Sequence, residues 1–369
     1  MDALDLVRFP IDPRDQLRAW DAADEYLLKE LPGLTGTVVV SGDRWGALAT
    51  ALAPRHPGIV QITDSYLTQQ ATLANLARNG VAAGAVELRT TRDPVPERID
   101  VLLVRVPKSL ALLEDQLHRF APALHAGSVV LGTGMVKEIH TSTLELFERI
   151  LGPTRTSLAE RKARLIHTTP GGVNPGPDPW PKTYRLPADA GPVAGLTVTD
   201  HAGVFSAGKL DIGTRFFLDH LPRGRHDTRV LDLGCGNGIV GLAASLADPG
   251  AELVFADESY QALASAEATF TAHSTAAASF VAGDGVPPVH PGGFDLVLNN
   301  PPFHTHQATT DAIAWRMFTG ARRALRPGGE LWVIGNRHLG YHVKLRRVFG
   351  TCELVASNPK FVVLRAVRS

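Results

Sequence analysis

The chain has 369 residues, room for two domains of ordinary size. With 44% hydrophobic and 20% charged residues, and 37 basic side chains against 37 acidic ones, it has the make-up of a globular protein and no whole-chain charge to attract a polyanion. Two cysteines, Cys235 and Cys352, exclude a disulfide framework and are too few for a cysteine-rich zinc site, so no metal is expected. No run approaches the roughly 20 apolar residues of a membrane span, and residues 1–8 lack the pattern of a signal peptide, so the protein is expected in the cytoplasm.

In chain order, the first half reads as alternating strand and helix. Strands are predicted over 37–42, from Ile62 to Asp64, over 99–103 and over 125–132. A basic helix is expected over 156–165, where Arg161, Lys162 and Arg164 cluster. Residues 167–190 include Gly171-Gly172-Val173-Asn174-Pro175-Gly176-Pro177, too rich in Pro and Gly for helix or sheet. They are assigned to a linker between a first domain over 1–166 and a second over 191–369.

In the second half, strand 229–233 enters Gly234-Cys235-Gly236-Asn237-Gly238 and helix 239–246 follows. Strand 251–256 ends at Asp257, before an Ala-rich helix over 260–272. Strand 279–282 leads to Asp284. Strand 295–298 runs into Asn299-Asn300-Pro301-Pro302-Phe303, where the two prolines end the ladder because they cannot donate to it. Helix 312–325 stops at Pro327-Gly328-Gly329, before strand 330–335. This alternation gives an α/β fold with a parallel sheet covered on both faces.

The two halves carry one pattern. Residues 37–42 stand where 230–234 stand, Ile62-Thr63-Asp64 matches the strand end at Asp257, 99–103 matches 294–298, and 125–132 matches 326–333. Four matches in the same order indicate a duplicated domain. The copies differ where chemistry would sit. Gly42-Asp43-Arg44-Trp45-Gly46 replaces the glycine loop, and Arg105-Val106-Pro107-Lys108 replaces Asn300-Pro301-Pro302-Phe303. Arg44 and Trp45 would fill space that glycines leave open, so the first copy is expected to have kept its fold and lost its site. Between Arg322 and Arg368, ten basic residues face only Glu330 and Glu353, a local excess that could hold a polyanion or form a solvated surface.

In the second copy, Gly234, Gly236 and Gly238 let the backbone turn tightly and approach a ligand. Asp232, inside the preceding strand, puts a carboxylate beneath that loop, which suits a ligand with a cationic amino-acid end better than a pyrophosphate. Asp257, about 20 residues beyond the glycines, can accept both hydrogen bonds of a ribose diol, with Glu258 as the alternative. Asp284 can reach an adenine amino group, or serve as a helix cap or turn.

This series resembles the class I S-adenosylmethionine-dependent methyltransferases. The resemblance implies S-adenosylmethionine as the cofactor and two tandem Rossmann-like domains, the first degenerate. It also implies that the Asn300 side-chain oxygen and the Pro301 carbonyl accept hydrogen bonds from a planar amine, and that Phe303 stacks on a flipped base. Asn300 then borders the cofactor as well. His304 could relay a proton or pack locally. The Asn-Pro-Pro string serves adenine N6, guanine N2 and protein glutamine alike. Two tandem copies with Asn300-Pro301-Pro302-Phe303-His304 in the second resemble the bacterial ribosomal RNA guanine-N2 methyltransferases, in which Phe205, Ser206 and Asp211 would line the cofactor pocket. The strings from Asn336 to Leu345, from Lys360 to Ala366 and from Asp311 to Met317 resemble the branch acting on 23S RNA. The expected partner is therefore ribosomal RNA, met by a monomer. The alternatives are a guanine of 16S RNA, a protein glutamine, or an inert RNA scaffold.

Overall fold

The chain divides into two compact units, Met1–Trp180 and Pro181–Ser369. The computed structural model describes residues 1, 3–12, 15–286, 293–302 and 307–369. In chain order the first unit holds α1 (Ala22–Glu30), β1 (Val38–Ser41), α2 (Ala47–Leu52), β2 (Ile59–Thr63), α3 (Tyr66–Arg78), β3 (Val86–Thr90), β4 (Ile99–Arg105), α4 (Leu110–Phe120), β5 (Leu124–Met135), α5 (Thr141–Ile150), β6 (Thr154–Thr156) and β7 (Ala163–Thr168). The second opens with the hairpin β8 (Lys182–Arg185) and β9 (Thr197–Asp200), then α6 (Ile212–Leu218). It continues with β10 (Arg229–Leu233), α7 (Ile239–Ala247), β11 (Glu252–Asp257), α8 (Tyr260–Thr271), β12 (Ala278–Ala282), β13 (Phe294–Asn299), α9 (Gln307–Ala324), β14 (Leu325–Asn336), α10 (Tyr341–Phe349), β15 (Glu353–Ser357) and β16 (Phe361–Val367).

Both units are built on one plan. Their seven-stranded sheets run β3-β2-β1-β4-β5-β7-β6 and β12-β11-β10-β13-β14-β16-β15. The first five strands of each order are parallel, and the sixth runs antiparallel to both of its neighbours. Alternate residues of the central strands feed two apolar layers. Val230, Leu253, Phe255 and Leu296 face one side, and Leu231, Val254, Ala256 and Val297 the other, all buried. That is why these strands read as near-continuous apolar runs. Phe255 anchors its layer against the rings of Phe270 and Phe280, with centroids 5.1 and 5.0 Å away.

The duplication reaches individual hydrogen bonds. The Asp100 carboxylate accepts from the Thr37 amide at 2.8 Å, and that of Asp295 from the Arg229 amide at 2.7 Å. Ser65 caps α3 through the Thr68 amide, and Ser259 caps α8 through the Ala262 amide. Ser41 lies opposite Ile62 and Val104, as Leu233 lies opposite Ala256 and Asn299. The register therefore sets Arg105 in the place of Asn300. It also sets Thr63 in the place of Asp257, which corrects the expected match with Asp64 by one residue.

Two further expectations are corrected. The basic helix over 156–165 is a hairpin between β6 and β7. Arg161 and Lys162 take φ of +49° and +65°, and Glu160 and Ala163 exchange backbone hydrogen bonds at 2.9 and 2.8 Å across them. Two left-handed residues make the tight turn whose twist suits antiparallel strands. Helix-forming side chains are overruled because β7 buries Leu165 and Ile166 against the sheet edge at β5. The linker expected over 167–190 is shorter. His167 and Thr168 complete the ladder with β5, and Lys182–Arg185 pairs with β9, which leaves 169–181 without helix or strand.

Candidate active site

The glycine loop leaves β10 and enters α7 on three left-handed residues, Gly234, Gly236 and Gly238, with φ of +73°, +54° and +78°. A Cβ at Gly238 would lie 2.9 Å from Ala266 on α8, so only glycine permits that close approach. A Cβ at Gly236 would meet nothing within 4 Å, so the loop borders open space there. The amides of Gly234 and Cys235 both donate to the Ala256 carbonyl, which pins the loop to the end of β11.

Asp257 closes β11. Its Oδ2 accepts from the Gly236 amide at 3.0 Å and its Oδ1 from the Ser259 amide at 3.0 Å. Burial raises its carboxyl above the usual range, and those amides pull it back. Asp232 is buried under the loop, with Oδ2 on the Gly241 amide at 2.7 Å. Burial, with the Asp257 charge nearby, pushes it up to about 8. Asp284 lies two residues beyond β12 and pairs with Arg316 at 3.4 Å.

On the segment before α6, Phe205 is half exposed, while Ser206 has φ of +59° and donates from Oγ to the Lys209 carbonyl. Asp211 caps α6 through the Thr214 amide at 2.9 Å. Asp200, which sequence reasoning missed, ties this segment to the glycine loop. It accepts from the Gly208 amide at 2.7 Å and from Asn237 Nδ2 at 2.9 Å. Its only sequence signal is its position at the end of a short strand.

At the end of β13, Asn299 Nδ2 donates to the Leu233 carbonyl at 2.7 Å and fixes β13 to β10. Asn300 Nδ2 donates to Thr214 Oγ1 at 3.1 Å, while Asn300 Oδ1 is buried with no hydrogen-bond partner among the described residues. Pro301 beside it is buried and Pro302 exposed. Phe303 and His304 lie outside the described residues.

The first copy closes the same place with charge. Arg44, at the position of Gly236, reaches Glu138 at 2.8 Å and Asp21 at 3.5 Å. Arg105, 1% exposed, pairs with Asp21 at 2.6 Å, Asp24 at 3.2 Å and Glu138 at 3.1 Å. Two guanidiniums and three carboxylates occupy what the second copy leaves to glycines and an amide. Part of the basic excess over 322–368 is also spent internally. Arg326 pairs with Asp295, and Arg365 pairs with Glu330 and Glu353. Arg322, Arg323, Arg346 and Arg347 remain exposed. Among the described residues there is no cluster of metal-ligating side chains, and no helix is long and apolar enough to cross a membrane.

A glycine loop after the central strand, an acid closing its neighbour and an Asn-Pro-Pro end on the strand at its other side define a class I methyltransferase, here with a disarmed duplicate ahead of it. Residues 1–172 match the RLMG N-terminal domain and residues 195–365 the methyltransferase small domain. The Ribosomal RNA large subunit methyltransferase G of Streptomyces avermitilis is 68% identical over 98% of this chain and 96% of its own length, and that of Aeromonas salmonicida is 46% identical over 99% and 97%. The chain belongs to the ribosomal RNA large subunit methyltransferase G family. Among solved structures, the T. thermophilus 16S rRNA N2 G1207 methyltransferase in complex with AdoMet and guanosine superposes with a TM-score of 0.76 at 22% identity, over 95% of this chain and 92% of that one, and shares the two-copy fold.

Proposed function

We propose that this protein transfers a methyl group from S-adenosylmethionine to the exocyclic N2 of a guanine in 23S ribosomal RNA, acting in the cytoplasm as a monomer. The observation that carries the reading is the buried Asn300 Oδ1 at the end of β13, without a hydrogen-bond partner among the described residues and beside an open glycine loop. An acceptor desolvated without a donor is costly, and a substrate N–H would satisfy it.

The loop at Gly234, Gly236 and Gly238 would hold the methionine end of the cofactor, above Asp232. Asp257 would take the ribose hydroxyls and Asp284 the adenine amine, with Phe205, Ser206 and Asp211 on the facing side. When bound, the cofactor would supply an electrophilic methyl on a sulfonium and leave as S-adenosylhomocysteine, with the surplus amine proton released to water. Asn300 Oδ1 and the Pro301 carbonyl would each accept one hydrogen from the guanine amine. An amine conjugated with a ring is a poor nucleophile; two acceptors hold it pyramidal and aim its lone pair along the transfer line. The two prolines keep the Pro301 carbonyl rigid, so the geometry is set before reaction. Phe303 would stack on the base, which must leave its helix to enter. The first copy and the exposed arginines of α9 and α10 would grip phosphates and position the RNA without reading its sequence.

Incubation with S-adenosylmethionine and deproteinised 23S or 16S RNA, followed by digestion and mass spectrometry, is expected to yield N2-methylguanosine from 23S RNA alone. Product from 16S RNA alone would overturn the choice of RNA. Absence of product from either, in naked or ribosomal form, would overturn the reaction. Replacing Asp257 with Ala removes the diol acceptor and frees the Gly236 amide. S-adenosylmethionine affinity should then fall about 10- to 100-fold by calorimetry, the scale of lost hydrogen bonds to a charged group. An unchanged dissociation constant would refute the role of Asp257.

A further inference from the structure

We infer that Thr214 is a positioning residue that sets the orientation of the Asn300 amide through a one-way hydrogen-bond relay starting at Asp211. The inference rests on the reading of Asn300 as acceptor for the substrate amine, and adds what makes it one. An Asn side chain presents either its oxygen or its NH2 to a given direction, and only the oxygen can accept from an amine. Something must therefore decide which end faces the substrate.

The decision is made in α6. Asp211 is the N-cap, and its Oδ2 accepts from the Thr214 amide at 2.9 Å and from Thr214 Oγ1 at 3.4 Å. A carboxylate oxygen that takes two such donors only accepts. The single hydroxyl proton of Thr214 is thus spent on Asp211, and its oxygen can only receive from Asn300. Asn300 Nδ2 donates to it at 3.1 Å, so the NH2 end is held against α6 and Oδ1 is left buried with no partner among the described residues. Thr214 is 9% exposed, so water competes little for its hydroxyl.

The disarmed copy carries the same constellation with other side chains. Asp21 is the N-cap of α1 and Asp24 its third helical residue, as Asp211 and Thr214 are for α6. Arg105 stands in the register position of Asn300 and pairs with both. The contact between helix start and strand end is therefore common to both copies. With Thr and Asn it leaves an oriented acceptor, and with Asp and Arg it makes a closed ion pair. Neither position 24 nor position 214 belongs to a recognisable motif.

The test compares Thr214→Ala, Thr214→Val and Thr214→Ser. Loss of one orienting hydrogen bond predicts a kcat about tenfold lower for the Ala and Val variants. The KM for RNA and the calorimetric affinity for S-adenosylmethionine should stay within about twofold, and Thr214→Ser, which keeps the hydroxyl, should regain most of the rate. In an Asn300→Ala background, Thr214→Val should cost nothing further in single-turnover assays. A parental melting temperature for Thr214→Val checks that packing survives. Parental kcat in Thr214→Val, or an equal loss in Thr214→Ser, would overturn the relay while leaving Asn300 in its role. Full activity in Asn300→Ala would instead overturn the reading of Asn300 and the relay with it.

Discussion

Replacing Asn300 with Ala should cut methyl transfer by about 100-fold or more while leaving S-adenosylmethionine binding within about twofold. That loss is the usual scale for removing one preorganised polar group at a reacting centre. The two effects separate because of where the side chain sits. Asn300 closes β13, held by Thr214 on α6, whereas the loop is fixed by other bonds: Gly234 and Cys235 to Ala256, Gly236 to Asp257, and Asn237 to Asp200. None of these passes through Asn300, so the cofactor cradle should survive its removal. The substrate amine would then lose one of its two acceptors and relax toward the planar, conjugated form that does not attack. Rates come from single-turnover transfer to RNA and affinities from calorimetry. Activity within about twofold of the parent would assign the acceptor role elsewhere. A parallel collapse of cofactor affinity would make Asn300 a structural residue of the loop.

The catalytic half was legible because its chemistry and its fold share the same short strings. A buried strand, three glycines and an acid 19 residues beyond Gly238 leave few alternatives, and β10 to β13 fall on the apolar runs, whereas β14 starts at Leu325, ahead of the strand expected from residue 330. The order of the last two strands was not legible, since antiparallel edge strands carry no motif. The hairpin at Arg161 and Lys162 was misread for a physical reason: long charged side chains favour helix, and nothing local announces two left-handed residues in succession. Asp200 and Thr214 were invisible because they act across 37 and 86 residues of sequence. That Arg44 and Arg105 had replaced a glycine and an amide was apparent. That they share Asp21 and Glu138, and so lock the first copy shut, needed the fold.

Replacing Arg105 with Ala should destabilise the first unit by roughly 3–5 kcal/mol at neutral pH, the cost of stripping the cation from a buried ionic cluster. Arg105 is 1% exposed and faces Asp21, Asp24 and Glu138. Without it, Arg44, which is itself 38% exposed, remains against the cluster and reaches only Asp21 and Glu138. A loss of this size in a unit of some 180 residues lowers the melting temperature by about 10 °C. The deficit should also depend on pH, with a sign that the two carboxyls fix. Arg44 and Arg105 hold Glu138 down, at about 2 against 4.5, so its contribution to stability is present above pH 4.5 and fades as pH falls toward 2. Burial holds Asp24 up at about 7, so the folded unit keeps that proton and loses stability as pH rises from about 4 to 7; Arg105 limits the loss. The variant should therefore lie nearest the parent as pH falls to about 2, where Asp24 is protonated and Glu138 is losing its charge. It should fall behind as Glu138 ionises, and fall further above pH 7 as Asp24 ionises without its partner. Calorimetric melts across pH 2–8, with hydrogen exchange to assign each transition to a unit, would read this directly. A melting temperature within about 1 °C of the parent at pH 7 would mean that the closed cluster does not hold the first copy together. The isolated chemistry of the second copy should be untouched, and S-adenosylmethionine affinity at 25 °C is the control that separates a weakened platform from a damaged site.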